Sequence, residues 1–408
     1  MNNMEYATKF ASRSFVLAVL AYASLAGAAP PERAADLRAA GVQMGPAVLY
    51  PSLGLHFGRD DNIFLQPSGE KSSNIIVLIP TLDFVAVNNG QRYGLLYQAE
   101  AGRYGDSSAD DYTDQRLLAE ADVGLGQRGR LDLQAEYLDE HDPRGTGASE
   151  GNPLLSDNPD VWHSTRLGAT FKYGAPGARG RLDLALGARE KSYDNNRATT
   201  AARDLDQGDV GVTFLYRVAP LTSLLLQATD ADIDYQTATL DSTERRYLAG
   251  VTWEATAKTS GTVKVGRQKK DFDDTARTDF SGGSWAAAVV WSPLTYSFFE
   301  LSTNRRTEET NGTGNFNDKR DAALAWTHGW TSFLRTKLSA LTTKDQYKGA
   351  SGVILREDKT PAYRLNVSYQ IRRWLNLGLD YTTTDRNSDN NAFDYKRNVY
   401  LLSITGSL

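Results

Sequence analysis

The sequence predicts an all-β fold: a transmembrane antiparallel outer-membrane β-barrel of about 18 strands, with short periplasmic turns and long extracellular loops. Three observations lead there. Apolar and polar residues alternate along most of the chain, the period of a strand with one apolar and one wettable face. The gaps between alternating segments are short and long in turn, as in bacterial outer-membrane barrels. The chain also carries an export signal without the composition of a helical membrane protein: 40% of its 408 residues are hydrophobic and the net charge is −5, with a mean hydropathy of −0.46.

The one long apolar run, "FVLAVLAYASLAGA" (15–28), follows Lys9 and Arg13 and ends in Ala26-Gly27-Ala28. It reads as a signal peptide over residues 1–28, cut after Ala28, and is short for a membrane span. Residues 29–48 are expected to form a periplasmic N-terminal tail and 49–408 the barrel. There is no cysteine, so neither a disulfide framework nor a cysteine metal site is available. An exported chain of this size without disulfides needs an extensive hydrogen-bonded sheet, and 20 Tyr and 35 Gly suit one with aromatic borders.

The strands follow in order. Leu49, Leu53, Leu55 and Phe57 alternate with Tyr50, Ser52, Gly54 and His56. Tyr93, Leu95 and Tyr97 stand against Arg92 and Glu100; Leu117, Ala119 and Ala121 against Arg116, Glu120 and Asp122. Leu131, Leu133 and Tyr137 oppose Asp132 and Glu136, and Leu167 and Phe171 oppose Arg166 and Lys172. The following strands place Arg181, Asp183 and Arg189, then Glu254 and Lys264, and finally Arg364 and Asp380 on the wettable side. Two stretches, 74–87 and 294–303, are apolar on both sides; a bulge near Pro80 is expected in the first. Short links fall at 88–91, 126–129, 174–179, Ala219-Pro220, 257–260, Ser292-Pro293, near Trp330 and at Arg372-Arg373. Long ones fall at 59–73, 104–112, 141–160, 192–206, 234–242, 272–279, 307–317, 346–360 and 387–392. Tyr400, Leu402, Ile404, Gly406 and Leu408 alternate to the last residue, as a signal for the barrel-assembly machinery should, with Leu408 where a terminal aromatic is usual.

Several motifs carry a family resemblance. "DDNIF" (60–64), "ADDY" (109–112), "YLDEHDPRGT" (137–146), "LDSTERRYLAGVTWEATAKTSGTVKVG", "KKDFDD" (269–274), "WSPLTYSFFELSTNRRTEE" (291–309), "RRWLNLGLDYTTTDR" and "DYKRNVYLL" together resemble the outer-membrane β-barrel porin 2 family, from about Leu49 to Leu408. The resemblance implies a gene in an exopolysaccharide operon. It also implies an outer-membrane pore through which the polymer leaves, beside a periplasmic polysaccharide export protein.

Such a barrel would have a water-filled lumen lined by the wettable rows. Arg92, Glu100, Arg116, Glu120, Asp122, Asp132, Glu136, Arg166, Lys172, Arg181, Asp183, Arg189, Glu254, Lys264, Arg364 and Asp380 would line the substrate path. Both signs are interspersed, so no ring of one charge selects ions; the bland alternative is that they pair across neighbouring strands. Trp253, Trp291, Trp326, Trp330 and Trp374, with Tyr137 and Tyr381 at the other end, read as membrane-interface belts rather than sugar-stacking rings. Acid clusters such as Asp60-Asp61 and Asp271, Asp273 and Asp274 lack calcium-loop spacing, so no metal or other cofactor is expected. Arg128, Arg130, Arg179, Arg372 and Arg373 make the short side basic, which suits phospholipid headgroups. Lipid and lipopolysaccharide are the expected surroundings in the Gram-negative outer membrane.

Enzymatic activity would need a nucleophile and an acid beside His163, the candidate base, and neither can be paired with it from sequence. Asn311-Gly312-Thr313 matches a glycosylation sequon by coincidence, and nothing points to nucleic acid. The expected function is export of exopolysaccharide across the outer membrane; the alternative is a general or solute-specific uptake porin.

Overall fold

In a computed structural model, which describes residues 39–175, 177–256 and 258–408, the alternation becomes one antiparallel sheet closed on itself. The expected signal peptide lies outside the described residues. The strands are β1 (Val42–Met44), β2 (Ala47–Asp60), β3 (Ser73–Asn88), β4 (Gln91–Tyr104), β5 (Tyr112–Leu125) and β6 (Gly129–Asp142). Next come β7 (Asp160–Tyr173), β8 (Gly180–Tyr193), β9 (Leu205–Ala219), β10 (Thr222–Tyr235), β11 (Ser242–Thr256) and β12 (Thr259–Phe272). The last are β13 (Phe280–Leu294), β14 (Ser297–Glu309), β15 (Phe316–Gly329), β16 (Leu334–Lys348), β17 (Ile354–Arg372), β18 (Leu375–Ser388) and β19 (Tyr395–Ser407).

Each of β2 to β19 pairs with its sequence neighbours, and β19 returns to β2 from Ser407↔Ser52 to Val399↔Asp60. The result is a closed barrel of 18 strands. A 14-residue strand such as β4 is about 46 Å long at about 3.3 Å per residue, more than a tilted crossing of the hydrocarbon needs. The strand ends therefore stand clear of the membrane, where loops can fold over them.

Strand β1 completes the edge. It pairs with residues 47–49 of β2, on the same edge that β19 occupies from Ser52 to Asp60. Leu408 N–H donates to Pro51 O (3.1 Å) at this joint. A residue's N–H and C=O share one edge of a strand, so the N–H that Pro51 lacks would fall where two partners meet.

Several sequence expectations need correcting. No bulge occurs at Pro80: Leu78↔Ala101 and Thr81↔Gln98 keep one register, and the ladder to β4 only skips Ile79 and Pro80. Pro361 behaves alike, with Lys359↔Asn387 and Ala362↔Thr384 in register around it, so most of the loop expected at 346–360 is strand. The turn expected at Ser292-Pro293 lies further on, at residues 295–296, and the prolyl pair forms a bulge between Trp291 and Leu294. The alternation of gap lengths is also looser than expected, because β16 and β17 are joined by only residues 349–353. The wall begins at Ala47 rather than Leu49.

Exposed Leu95, Leu117, Leu133, Leu167 and Leu186 form the outer, lipid-side row. The stretch 74–87 is apolar on both sides for a simple reason. Ile76, Leu78 and Leu82 face outward, while Ile75, Val77 and Ile79 are buried under Ile63 and Phe64 of the β2–β3 loop. In the 294–303 stretch Phe299 stacks between Trp291 (5.3 Å) and Trp326 (6.3 Å) in the periplasmic belt.

The closing seam is also chemically sealed. Arg397 donates to Asp60 Oδ2 through Nε (2.9 Å), and Asp61 accepts from Asn398 N (2.6 Å) and Nδ2 (2.7 Å). Asp60 is 1% exposed, so Arg397→Ala strands a buried charge. That should cost about 3–5 kcal/mol, read as a lower urea midpoint for loss of the fast-migrating folded form on unheated gels; an unchanged midpoint would refute the seam's role.

Candidate functional site

The rows expected to line the lumen lie on the inner face, and many of their members meet across strands. Arg116 pairs with Glu136 (2.6 Å), Arg92 with Glu120 (3.9 Å), and Arg130 with Asp122 (2.9 Å) and Asp132 (3.1 Å). Lys172 also pairs with Asp132, and Arg181 with Asp183 (2.9 Å). Glu100 accepts from Tyr112 Oη (2.7 Å), Arg189 reaches Ser164 (3.4 Å), and Lys264 donates to Gln227 (3.0 Å). Arg364 donates to Thr382 (3.2 Å), and Asp380 accepts from Asn366 (2.9 Å). Arg166 lies cross-strand from both Glu136 and Arg189, whereas Glu254 is exposed beside the periplasmic turn.

The narrowest chemistry lies above these rows. Residues 143–159, between β6 and β7, form the longest loop among the described residues and fold inward. The loop is fixed first by Arg144, whose Nε and Nη2 each donate to Asp110 at 2.7 Å. The Asp110 carboxylate holds that guanidinium above its ordinary range. Gly145 then passes so close to the β2–β3 loop that a Cβ would sit 2.0 Å from Phe64 O, at φ +87°. At the far end of the crossing is Glu150. Its carboxylate accepts from Arg356 Nη2 of β17 (2.7 Å), Arg386 Nη1 of β18 and Asn311 Nδ2 of the β14–β15 loop (2.6 Å). Gly151 (φ +75°) lies against Phe393, where a Cβ would be 2.7 Å from the ring.

Round the closed sheet, β6 is six strands from β18 and β7 eight from β17, out of a half-circuit of nine. At about 4.8 Å between strands, a contact over that span must cross the lumen. Arg356 and Arg386 are on the inner rows that also carry Arg364 and Asp380, so the loop bridges the channel from wall to wall.

A second element folds in from another side. Pairing of β13 with β14 stops at Trp285↔Arg305, although β14 runs on to Glu309 and β13 starts at Phe280. Beyond this point the β14–β15 hairpin leans into the lumen, and its outer face packs on the inner face of β10–β13. Phe316 (1% exposed) lies 5.0 Å from Phe280 and 6.1 Å from Phe272, and Glu309 accepts from Tyr235 Oη (2.7 Å) and Lys270 Nζ (2.5 Å). The carbonyls left open at the split are taken by side chains: Arg246 donates to Trp285 O (3.2 Å) and Ser284 Oγ to Arg305 O (2.9 Å).

Sequence reasoning missed Glu150, Arg356 and Arg386. The available signal was the length of the loop, since an extended connection in a compact fold is commonly functional. The acid clusters have protein partners: Asp60 and Asp61 in the seam, Asp110 on Arg144, and Asp204 on Arg197 (2.6 Å) and Tyr193 N (2.8 Å). His163 has an acid after all, with Nδ1 3.0 Å from Asp194 Oδ1, and Ser192 stands opposite it in register. Among the described residues no nucleophile is hydrogen-bonded to the ring. The Asn311 amide of the sequon is engaged by Glu150.

A closed 18-strand barrel with an apolar belt outside, charged rows inside and a loop across its lumen is an outer-membrane porin-type channel. Comparison with known proteins agrees: residues 35–407 match the family described as "Putative beta-barrel porin 2", and the chain belongs to that family. Among solved structures, a BenF-like porin from Pseudomonas fluorescens Pf-5 is 11% identical with a TM-score of 0.50, covering 90% of this chain and 100% of that one. The outer membrane protein opdK from Pseudomonas aeruginosa is 14% identical, with a TM-score of 0.48 and coverage of 88% and 99%. OccAB4 from Acinetobacter baumannii is 11% identical, with a TM-score of 0.48 and coverage of 90% and 99%. At these identities the likeness is one of fold. No curated protein matches the chain. The protein is thus an outer-membrane β-barrel porin of Gram-negative type, in contact with lipid and lipopolysaccharide.

The crossing makes a local prediction. In Gly145→Ala the new methyl meets the Phe64 carbonyl at a backbone angle that alanine resists, a strain of about 1–3 kcal/mol. Trypsin added to intact cells should then cut after Arg144 about tenfold faster or more than in the wild type. Equal rates would show that the loop does not lie against Phe64.

Proposed function

We propose that this porin takes small polar solutes across the outer membrane into the periplasm by passive diffusion. One observation carries the reading: the loop at 143–159 bridges the lumen and is tied to the opposite wall through Glu150. A bridged lumen divides the water-filled section and leaves room for small molecules, whereas a polymer would need the whole bridge displaced. The charged rows suit this role as well. Paired charges of both signs keep the wall wet without a field of one sign, so a polar solute exchanges water for wall groups at little cost.

The export of exopolysaccharide, with a periplasmic export protein as partner, remains an implication of the family resemblance alone, with no feature of the lumen in its favour. The path residues named from sequence, from Arg92 to Asp380, are proposed as the wall beneath the constriction.

Single-channel recording in planar bilayers tests the reading. Removing residues 146–156 should raise conductance about twofold or more, because the narrowest section dominates the resistance. Solute entry in a liposome-swelling assay should rise with it. Unchanged conductance would place the resistance elsewhere. In cells, an in-frame deletion of the whole gene should leave extracellular polysaccharide at its normal level; loss outside with accumulation in the periplasm would restore the export reading.

A further inference from the structure

The wall that receives Glu150 has more binding capacity than Glu150 uses. Arg356 is 2% exposed, and its guanidinium lies between the rings of Tyr347 and Phe393, 3.9 Å from each. Arg386, 8% exposed, covers the Tyr395 ring at 4.7 Å and donates through Nε to Phe393 O (2.6 Å). Each guanidinium has five N–H donors. Arg356 Nε and Nη1 and Arg386 Nη2 are buried and have no hydrogen-bond partner. Two arginines held flat by aromatic rings, with donors to spare and an amide from Asn311 above them, form a built carboxylate-binding site. Both arginines belong to the barrel wall, while the carboxylate that fills the site arrives on a loop from the opposite wall.

We infer that this wall site is a receptor for carboxylate-bearing solutes and that Glu150 is its built-in occupant, displaced when such a solute enters from outside. The inference rests on the solute-uptake reading and names its substrate class. Charge balance makes the exchange selective. Arg356 and Arg386 face two carboxylates, Glu150 and Asp358, the latter 3.1 Å from Arg356 and 1% exposed. With Glu150 in place the four charges cancel. Withdrawing Glu150 alone would leave buried positive charge uncompensated, which is strongly unfavourable; replacing it with a solute carboxylate restores the balance. An uncharged solute cannot make this trade, and a cation opposes it. Once Glu150 is released, the loop loses its far anchor while Arg144 and Asp110 still hold its near end, so the bridge swings rather than unfolds. A ligand shifts such an equilibrium only by its differential affinity for the two states, and here the difference is the whole site.

The test uses the full-length protein in planar bilayers, with succinate as the carboxylate and erythritol as an uncharged solute. In the wild type, succinate on the outer side should raise the open probability about tenfold, and erythritol should leave it unchanged. Glu150→Gln should be largely open without succinate and should respond little to it. Arg386→Gln should also be open, and should lose preference for succinate over erythritol in a swelling assay. A wild-type channel indifferent to succinate, or a Glu150→Gln channel with the full response, would overturn the inference. If the variants do not fold, the wild type still decides: succinate should expose the Glu150-Gly151 bond at the released end to a glutamate-specific protease and erythritol should not, and equal protection would refute the exchange. Failure of the uptake reading looks different, since neither solute would then enter liposomes, even through a channel lacking residues 146–156.

Discussion

A carboxylate on a loop, buried against two arginines of the opposite wall, sets the form of the upper half of this protein. A closed barrel satisfies the backbone of every strand except at its rims, and a barrel of this girth leaves an open interior. Nothing in the backbone ladder decides how much of that interior is filled. Here side chains decide it. Glu150 can reach Arg356 and Arg386 only if residues 143–159 cross the lumen, and the crossing forces Gly145 against Phe64 and Gly151 against Phe393. Because Glu150 is 9% exposed at its side chain and Asp358 1%, no member of the group can be removed alone without a large penalty.

The same principle orders the rest of the outer end. Where strands leave the ladder, a side chain takes over the hydrogen bonds that backbone groups would have made. Arg246 and Ser284 cover the split between β13 and β14, and Arg397 and Asn398 cover the top of the closing seam. The apolar patches at Ile75, Val77 and Phe272 sit on faces where water would be expected in a plain channel. They are dry because inward-folded segments roof them, so the outer end of the lumen behaves as a protein core and the inner end as a wetted tube.

Much of the barrel was legible in the sequence because period-two alternation reports directly on a wall with one lipid face and one wet face. Where alternation failed, at 74–87, the cause was a loop covering the inner face, a long-range contact that no local pattern encodes. Proline misled in the opposite direction. Pro80 suggested a bulge, yet it sits in unbroken register, as Pro361 does, because each places its missing N–H at a gap in one ladder only. The candidate site was the least legible part. Glu150, Asn311, Arg356 and Arg386 come from four distant segments, and a charged residue in a long loop looks the same from sequence whether it faces solvent or a buried partner. The motifs that carry the family resemblance do meet in space, though: Asp60 and Asp61 of "DDNIF" bind Arg397 and Asn398 of "DYKRNVYLL", and Asp110 of "ADDY" binds Arg144 of "YLDEHDPRGT".

The crossing of the lumen by residues 143–159 is the central claim, and the absence of cysteine makes it directly measurable. Cysteines placed at Asn152 and Ala392 flank the contact of Gly151 with Phe393 and leave the Glu150 group intact; each lies one residue, about 3.8 Å along the chain, from that contact, within the reach of a bismaleimide. In outer membranes the account predicts efficient cross-linking within one chain, seen as altered mobility of the heat-denatured protein, and little cross-linking from Asn152 to a cysteine at Asp106 on the near side. Cross-linking to Asp106 in place of Ala392 would mean that the loop stays on its own side and the lumen is open.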